Sequence, residues 1–208
     1  VQQRPIQVDA PSDSAAPADS AATGPDVLGS ALPTLDYAAD EALQAAVIGG
    51  EVGARISALM DEEAGRLTGE LEGARVERIG EGIKVTLVMG TFFDEGSAEL
   101  APSALDYLAR FAALLVEFDG ADLLVVAHTD GGGTTEENLA LSEARAQATV
   151  TFLASVGVDR SRMSHVGRGE LEPLAHEGES DAAERENRRV ELAIYASERM
   201  KAAVGGGP

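Results

Sequence analysis

The chain has 208 residues, a formal net charge of −20 and no cysteine. The charge argues against nucleic acid and anionic membrane surfaces as partners, because both need a basic face. The missing cysteine excludes a disulfide framework, a thiolate metal site and a Cys nucleophile. Hydrophobic residues reach 44% while aromatics are only 4%, so a core is expected from Leu, Val, Ile and Ala. Acidity on this scale is an ordinary route to solubility; a salt-rich habitat is the sharper alternative, and both readings stay open. No run of about 18 to 20 apolar residues exists to span a bilayer, and no signal-peptide pattern opens the sequence.

Residues 1–33 are rich in Ala, Pro, Ser and Asp, with Pro5, Pro11, Pro17, Pro25 and Pro33 spaced along them. Such a segment buries too little apolar surface to offset its ordering entropy, and a disordered tether is expected. Residues 34–73 are expected as a helical segment. Val52, Ile56, Leu59 and Leu67 recur at helical spacing, with Glu63 at the same spacing. Gly49, Gly50 and Gly53 interrupt this segment. An amphipathic helix against the domain or a partner is one reading; a membrane-seeking glycine-rich segment is the other.

From residue 74 the period changes. Arg75 to Ile79, Gly80-Glu81-Gly82 and Ile83 to Val88 read as strand, turn and strand. Ile83, Val85 and Leu87 alternate with Lys84 and Thr86, the mark of a half-buried strand. Pro102 opens a helix to Glu117, with Leu105, Leu108, Ala112 and Leu115 on one face. Asp122 to His128 is a strand whose apolar run, Leu123 to Ala127, suits a central position. Thr134 and Glu137 form a capping box for a helix reaching Ser155 and stopping at Gly157. Met163 to Val166 is a short strand, residues 167–187 a Gly- and Glu-rich loop, and Val190 to Tyr195 the last strand. From Ala196 the chain is expected to fray, with residues 199–208 a flexible tail. The order predicts an α+β fold over residues 74–198: a two-layer α/β sandwich, a mixed sheet with two helices on one face.

His128-Thr129-Asp130 ends the central strand, and Gly131-Gly132-Gly133 follows. Asn138 and Arg145 lie seven residues apart on the next helix, close to two full turns, so they share a face. A carboxylate and a guanidinium are thus displayed beside a glycine loop that lets backbone approach closely.

These residues resemble the C-terminal domain of the OmpA-like family, which includes peptidoglycan-associated lipoproteins and flagellar stator anchors. The resemblance runs from Lys84 to Ala196. It rests on Phe93-Asp94-Glu95-Gly96-Ser97-Ala98-Glu99-Leu100, on His128-Thr129-Asp130, and on Asn138, Leu141, Ser142, Arg145 and Ala146. Gly167-Arg168-Gly169-Glu170 with Pro173, and Asn187-Arg188-Arg189-Val190-Glu191, complete it. The resemblance implies non-covalent binding of peptidoglycan through the diaminopimelate of the stem peptide. Asp130 is then expected to hold the ammonium and Arg145 the carboxylate, a fork-shaped donor suited to both its oxygens. Asn138 is expected either to add a hydrogen bond or to satisfy groups at the helix N-terminus, backbone of Thr129, Glu95 and Gly96 lines the pocket, and Phe93 is either its apolar wall or part of the core. Arg188 and Arg189 are expected to brace the last strand against carboxylates, and Glu170 to cap a loop.

No cofactor and no metal are implied, and no catalysis. The rival enzyme reading assembles His128, Asp130 and His165 into an acid/base or metal site, with His176 the remaining histidine. A second rival is a purely structural docking protein acting through the 35–72 helix. The resemblance further implies the periplasmic face of the outer membrane of a two-membrane bacterium. Peptidoglycan is the expected partner there, with outer-membrane or other envelope proteins reached through the 35–72 segment. A looser similarity to envelope lipoproteins lies in the glycine-bearing segment and Met60-Asp61-Glu62-Glu63.

Overall fold

The computed structural model describes residues 39–88, 92–94, 96–174 and 180–206. The expected tether, residues 1–33, lies outside the described residues. Five strands form one mixed sheet: β1 (Arg75–Ile79), β2 (Gly82–Val88), β3 (Ala121–His128), β4 (Met163–Gly169) and β5 (Arg189–Ala196), in the order β1-β2-β5-β3-β4. β5 runs antiparallel to both β2 and β3, and β4 runs parallel to β3. The carboxyl ends of β2, β3 and β4 therefore meet the amino end of β5 at one rim of the sheet.

Alternation along the strands sorts their side chains onto two faces. Ile83, Val85, Leu87, Leu123, Val125, Leu192 and Ile194 belong to the main core. Helices α3 (Pro102–Glu117) and α4 (Thr135–Ser155) contribute Leu108, Phe111, Ala112, Leu115, Ala146, Val150 and Leu153 to that core. The α+β sandwich with these two helices on one face is as the sequence predicts. Helix α2 (Gly50–Glu70) joins them, with Ile56, Met60, Ala64 and Leu67 in the same core. Each fully buried side chain of this size contributes about 1.5–3 kcal/mol relative to exposure.

Several local expectations are corrected. The 35–72 helix is two helices, α1 (Ala39–Ala45) and α2, joined through Gly49 and Gly50 at φ +72° and +65°. Leu59 is 38% exposed, and the inward stripe of α2 is Ile56, Met60, Glu63, Ala64 and Leu67. Glu63 fits that stripe because Arg66 pairs with it at 3.0 Å. In α3, Ala104 and Phe111 are buried where Leu105 is half-buried. Lys84 and Thr86 are buried instead of facing water, Lys84 because α1 lies on the second face of the sheet. There Ala39 and Leu43 pack with Leu124, Val126, Ala193 and Tyr195, and Lys84 Nζ meets Asp40 Oδ1 at 2.5 Å.

The glycines of the α1–α2 joint have a local cause. Glu81, in the β1–β2 turn, accepts hydrogen bonds from Ile48 N (2.9 Å) and Gly49 N (2.7 Å). Its Oε1 would lie 2.0 Å from a Cβ on Gly53. The glycines thus let a carboxylate dock at the start of α2, where the helix dipole favours it. Among the described residues, no helix is long and apolar enough to cross a membrane.

The region between β4 and β5 is also more regular than a loop. β4 extends to Gly169, and α5 (Asp181–Asn187) precedes β5. β4 reaches that far because Gly167 permits close contact with α4: a Cβ there would lie 2.1 Å from Glu143 N. After β5, residues expected to fray form α6 (Glu198–Gly205), capped by Ser197 and anchored by buried Met200.

Candidate functional site

The rim where four strand ends converge carries a cleft of about 490 Å³, lined by residues from three separate segments. Phe93, Asp94 and Gly96 come from the connection after β2. Thr129, Asp130 and Gly132 follow β3, and Asn138, Leu141 and Arg145 project from α4. Arg188, immediately before β5, completes it.

Local chemistry fixes each segment. A register shift between Ala127 and His128 ends the β3–β4 ladder, and such an irregularity re-aims the residues that follow it. Thr129 N still donates to Gly169 O at 2.9 Å. Asp130 Oδ1 accepts from Gly132 N at 3.3 Å. Gly133 at φ +96° turns the chain into α4. The capping box is present in both directions: Glu137 N donates to Thr134 Oγ1 (3.2 Å), and Thr134 N to Glu137 Oε2 (3.0 Å). The hydrogen bonds from Thr134 hold the Glu137 carboxyl below its usual range. Ser142 ties α4 to β4 by accepting from Gly169 N at 2.9 Å. The helix that presents Asn138 and Arg145 is thereby clamped at its start and along its side.

Arg145 is only 3% exposed. Its Nε donates to Ser97 O at 2.8 Å and its second terminal nitrogen to Asp94 O at 3.3 Å. The guanidinium carbon stands 5.3 Å from the Phe93 ring centroid, a cation–π distance. Burial lowers the Arg145 pKa, with Asp130 opposing and Arg188 reinforcing that shift. Since a guanidinium starts above 12, it stays charged. Two of its five N–H groups are spent on the 94–97 connection, which leaves donors for a ligand. Thr129 is 3% exposed, and its hydroxyl has no hydrogen-bond partner among the described residues.

Of the residues expected at the site, the structure brings together Asp130, Arg145, Asn138, Thr129, Phe93 and Gly96; Glu95 lies outside the described residues. Phe93 serves core and cleft at once, 8% exposed and under Arg145. Glu170 lies against Thr135 and Asn138 at the start of α4, and these contacts lower its pKa.

The histidines do not converge with Asp130. His128 is buried against Glu191, with Nε2 3.7 Å from Oε2, while His165 meets Glu143 of α4 at 3.2 Å. His176 lies outside the described residues. Arg189 does brace the last strand, its Nε 2.7 Å from Glu191 Oε1. Arg188 does not: it enters the cleft and forms an ion pair with Asp130 Oδ2. Adjacent strand residues point to opposite faces, and that rule was the available signal that Arg188 and Arg189 have different tasks.

The chain is similar to known proteins of one family. The OmpA family matches residues 92–188. The chain is 30% identical over 145 residues to the probable lipoprotein YiaD of Escherichia coli, covering 69% of this chain and 66% of that protein. It is 32% identical over 128 residues to a peptidoglycan-associated lipoprotein of Pseudomonas putida, covering 62% of this chain and 74% of that one. A solved structure described as the cell wall anchor of the T6SS from Pseudomonas aeruginosa superposes with a TM-score of 0.54 at 32% identity. That match covers 69% of this chain and 96% of the other. The chain spans 48% to 66% of the length of several curated relatives that it matches. On its matched motifs, its fold and these relatives, the chain belongs to the OmpA family.

Proposed function

We propose that the chain binds peptidoglycan non-covalently through the free amino-acid end of diaminopimelate, and so anchors the outer membrane or an envelope assembly to the cell wall. The observation that carries this reading is the shared cleft of Asp130 and Arg145, one anion and one fork-shaped cation on a rigid rim. A zwitterionic head needs both, at fixed separation. Asp130 takes the ammonium, Arg145 the carboxylate, and Phe93 and Leu141 border the methylene chain. Asn138, Thr129 and Gly96 supply polar groups around it, and Glu95 belongs to the same connection. The names of the Pseudomonas putida and Pseudomonas aeruginosa proteins support the same reading. The role is binding and not catalysis, on the periplasmic side of a two-membrane envelope. Val47 and Ile48 at the α1–α2 joint and Leu59 on α2 are exposed apolar positions of the 35–72 segment, open to envelope proteins.

The test is co-sedimentation of the purified chain with two kinds of sacculi, one built on meso-diaminopimelate and one on lysine. Lysine lacks the carboxylate that Arg145 would hold. Retention on the first and not on the second is the expected result. Equal retention on both, or on neither, would remove diaminopimelate as the ligand.

A further inference from the structure

β1 is an edge of the sheet: among the described residues it pairs only with β2. The turn at Gly80 and Glu81 makes Ile79 and Gly82 a hydrogen-bonded pair. By alternation, the backbone N–H and C=O of Val76 and Arg78 then point outward, away from β2. An open edge of this kind is a template for another strand. The side chains along it select which strand fits. Arg75 and Glu77 are exposed and share a face of β1, with Val76 between them on the core face. Arg75 has no ion-pair partner among the described residues. Glu77 lies 3.8 Å from Lys84, which Asp40 holds more closely. One antiparallel register matches both charges using this strand alone. About a two-fold axis through Val76, two copies of β1 set Arg75 of each opposite Glu77 of the other. An axis through Glu77 or through Arg78 would instead set that charge against its own copy.

We propose that β1 docks a second copy of this chain, paired antiparallel about Val76 into one continuous sheet. In that register Val76 exchanges both backbone hydrogen bonds with its copy, and Arg78 N–H faces the carbonyl of Ala74. The two ends of β1 are complementary as well. At its start, Gly73, Arg75, Val88 and Leu174 line a pocket of about 240 Å³, where Val88 is 47% and Leu174 49% exposed. At its end, the α1–α2 joint presents Val47 and Ile48, 46% and 43% exposed, with Val47 against Gly80. The two-fold axis carries the joint of each copy toward the pocket of the other, because Gly80 of one then falls just beyond Gly73 of the other. The flank of α2 beside β1 is marked by the bonds of Arg78 to Asp61 (2.8 Å) and Ser57 (3.0 Å). It carries Ala58 and Gly65, both exposed and small enough for two α2 helices to approach. The axis reverses the strands, so the clefts of the two copies open at opposite rims.

The experiment is sedimentation velocity of the full chain from micromolar to millimolar concentration. Two chains of net charge −20 repel, so the buffer holds about 0.15 M salt, which screens charges beyond roughly 8 Å. Wild type is expected to pass from monomer to dimer as concentration rises. Arg75→Glu leaves two acids on that face of β1, and Glu77→Arg leaves two bases. Both positions are exposed, and circular dichroism checks that each variant is folded. Each variant alone is expected to dimerise at least about tenfold more weakly than wild type, the scale of two cross-strand pairs turned from attraction to repulsion. An equimolar mixture of the two is expected to recover the dimer, since an acidic strand then faces a basic one. A wild type that stays monomeric at every concentration would overturn the proposal, whether another segment of the chain covers the edge or nothing does. So would wild-type dimerisation in both variants, or a mixture no more associated than its parts. The wild-type measurement stands even if a variant fails to fold.

Discussion

Arg145→Ala is expected to lose about 100-fold in affinity for the stem tripeptide, or roughly 3 kcal/mol. Arg145 is 3% exposed and lies over Phe93, so its contact with a ligand carboxylate forms away from bulk water. Fork-shaped charge-assisted pairs are the strong ones, and truncating a desolvated pair leaves the other charge unmatched. The substitution also releases the carbonyls of Ser97 and Asp94, so some destabilisation of that connection accompanies it. Arg145→Lys separates the two effects. It keeps the positive charge but not the fork, and is expected to bind at least tenfold more weakly than wild type while melting close to it. The readout is calorimetric titration beside a thermal melt. Wild-type affinity in Arg145→Lys would mean that charge alone, not the fork, holds the ligand.

The largest stability effect is expected at Glu191. This carboxylate is 4% exposed, with buried Arg189 and His128 as neighbours. Burial pushes the Glu191 pKa up, but the adjoining His128 ring and the Arg189 guanidinium overcome this and pull it down to about 2. Glu191→Gln strands the Arg189 charge beneath the sheet and is expected to cost about 3 kcal/mol. For a chain of this size that is roughly 10 °C in Tm. Arg189→Met combined with Glu191→Leu is expected to recover most of the loss, because buried ion pairs are often replaceable by apolar side chains of similar volume.

The same cluster sets a pH dependence. Glu191 has a folded pKa below its ordinary 4.5, so its contribution is fully present above pH 4.5 and is lost as pH falls toward about 2. His128 is also depressed, below 6.5, chiefly by burial. Its neutral form is the folded one, so acidification below pH 6.5 favours the unfolded chain, which takes up the proton more readily. Urea unfolding from pH 7 to pH 3 is expected to show stability falling throughout, with a shallower slope between pH 4.5 and pH 3 in Glu191→Gln. Equal slopes in the two proteins would remove Glu191 from the account.

Much of the site was legible because it depends on local rules. The capping box at Thr134 and Glu137 fixed where α4 begins, and a seven-residue interval then put Asn138 and Arg145 on one face. The apolar run Leu123 to Ala127 placed Thr129 and Asp130 at the end of a buried strand. What escaped depended on contacts distant in sequence. Lys84 reads as solvent-facing until α1, more than forty residues earlier, folds over it with Asp40. Leu59 reads as part of the α2 stripe because a leucine at helical spacing outweighs its neighbour Met60, which the core buries instead. Arg188 reads as a strand brace until α5 and the approach to β5 direct it into the cleft.

On the proposed reading, the cleft at the strand ends holds diaminopimelate. Its most direct test is the change in amide chemical shifts of the isotope-labelled chain on addition of the stem tripeptide. The account predicts saturable shifts at Gly96, Thr129, Gly132 and Asn138, with Gly120, Gly157 and Ser161 at the opposite end of the sheet unmoved. Saturable shifts confined to that opposite end, or no shifts at any of these residues, would contradict it.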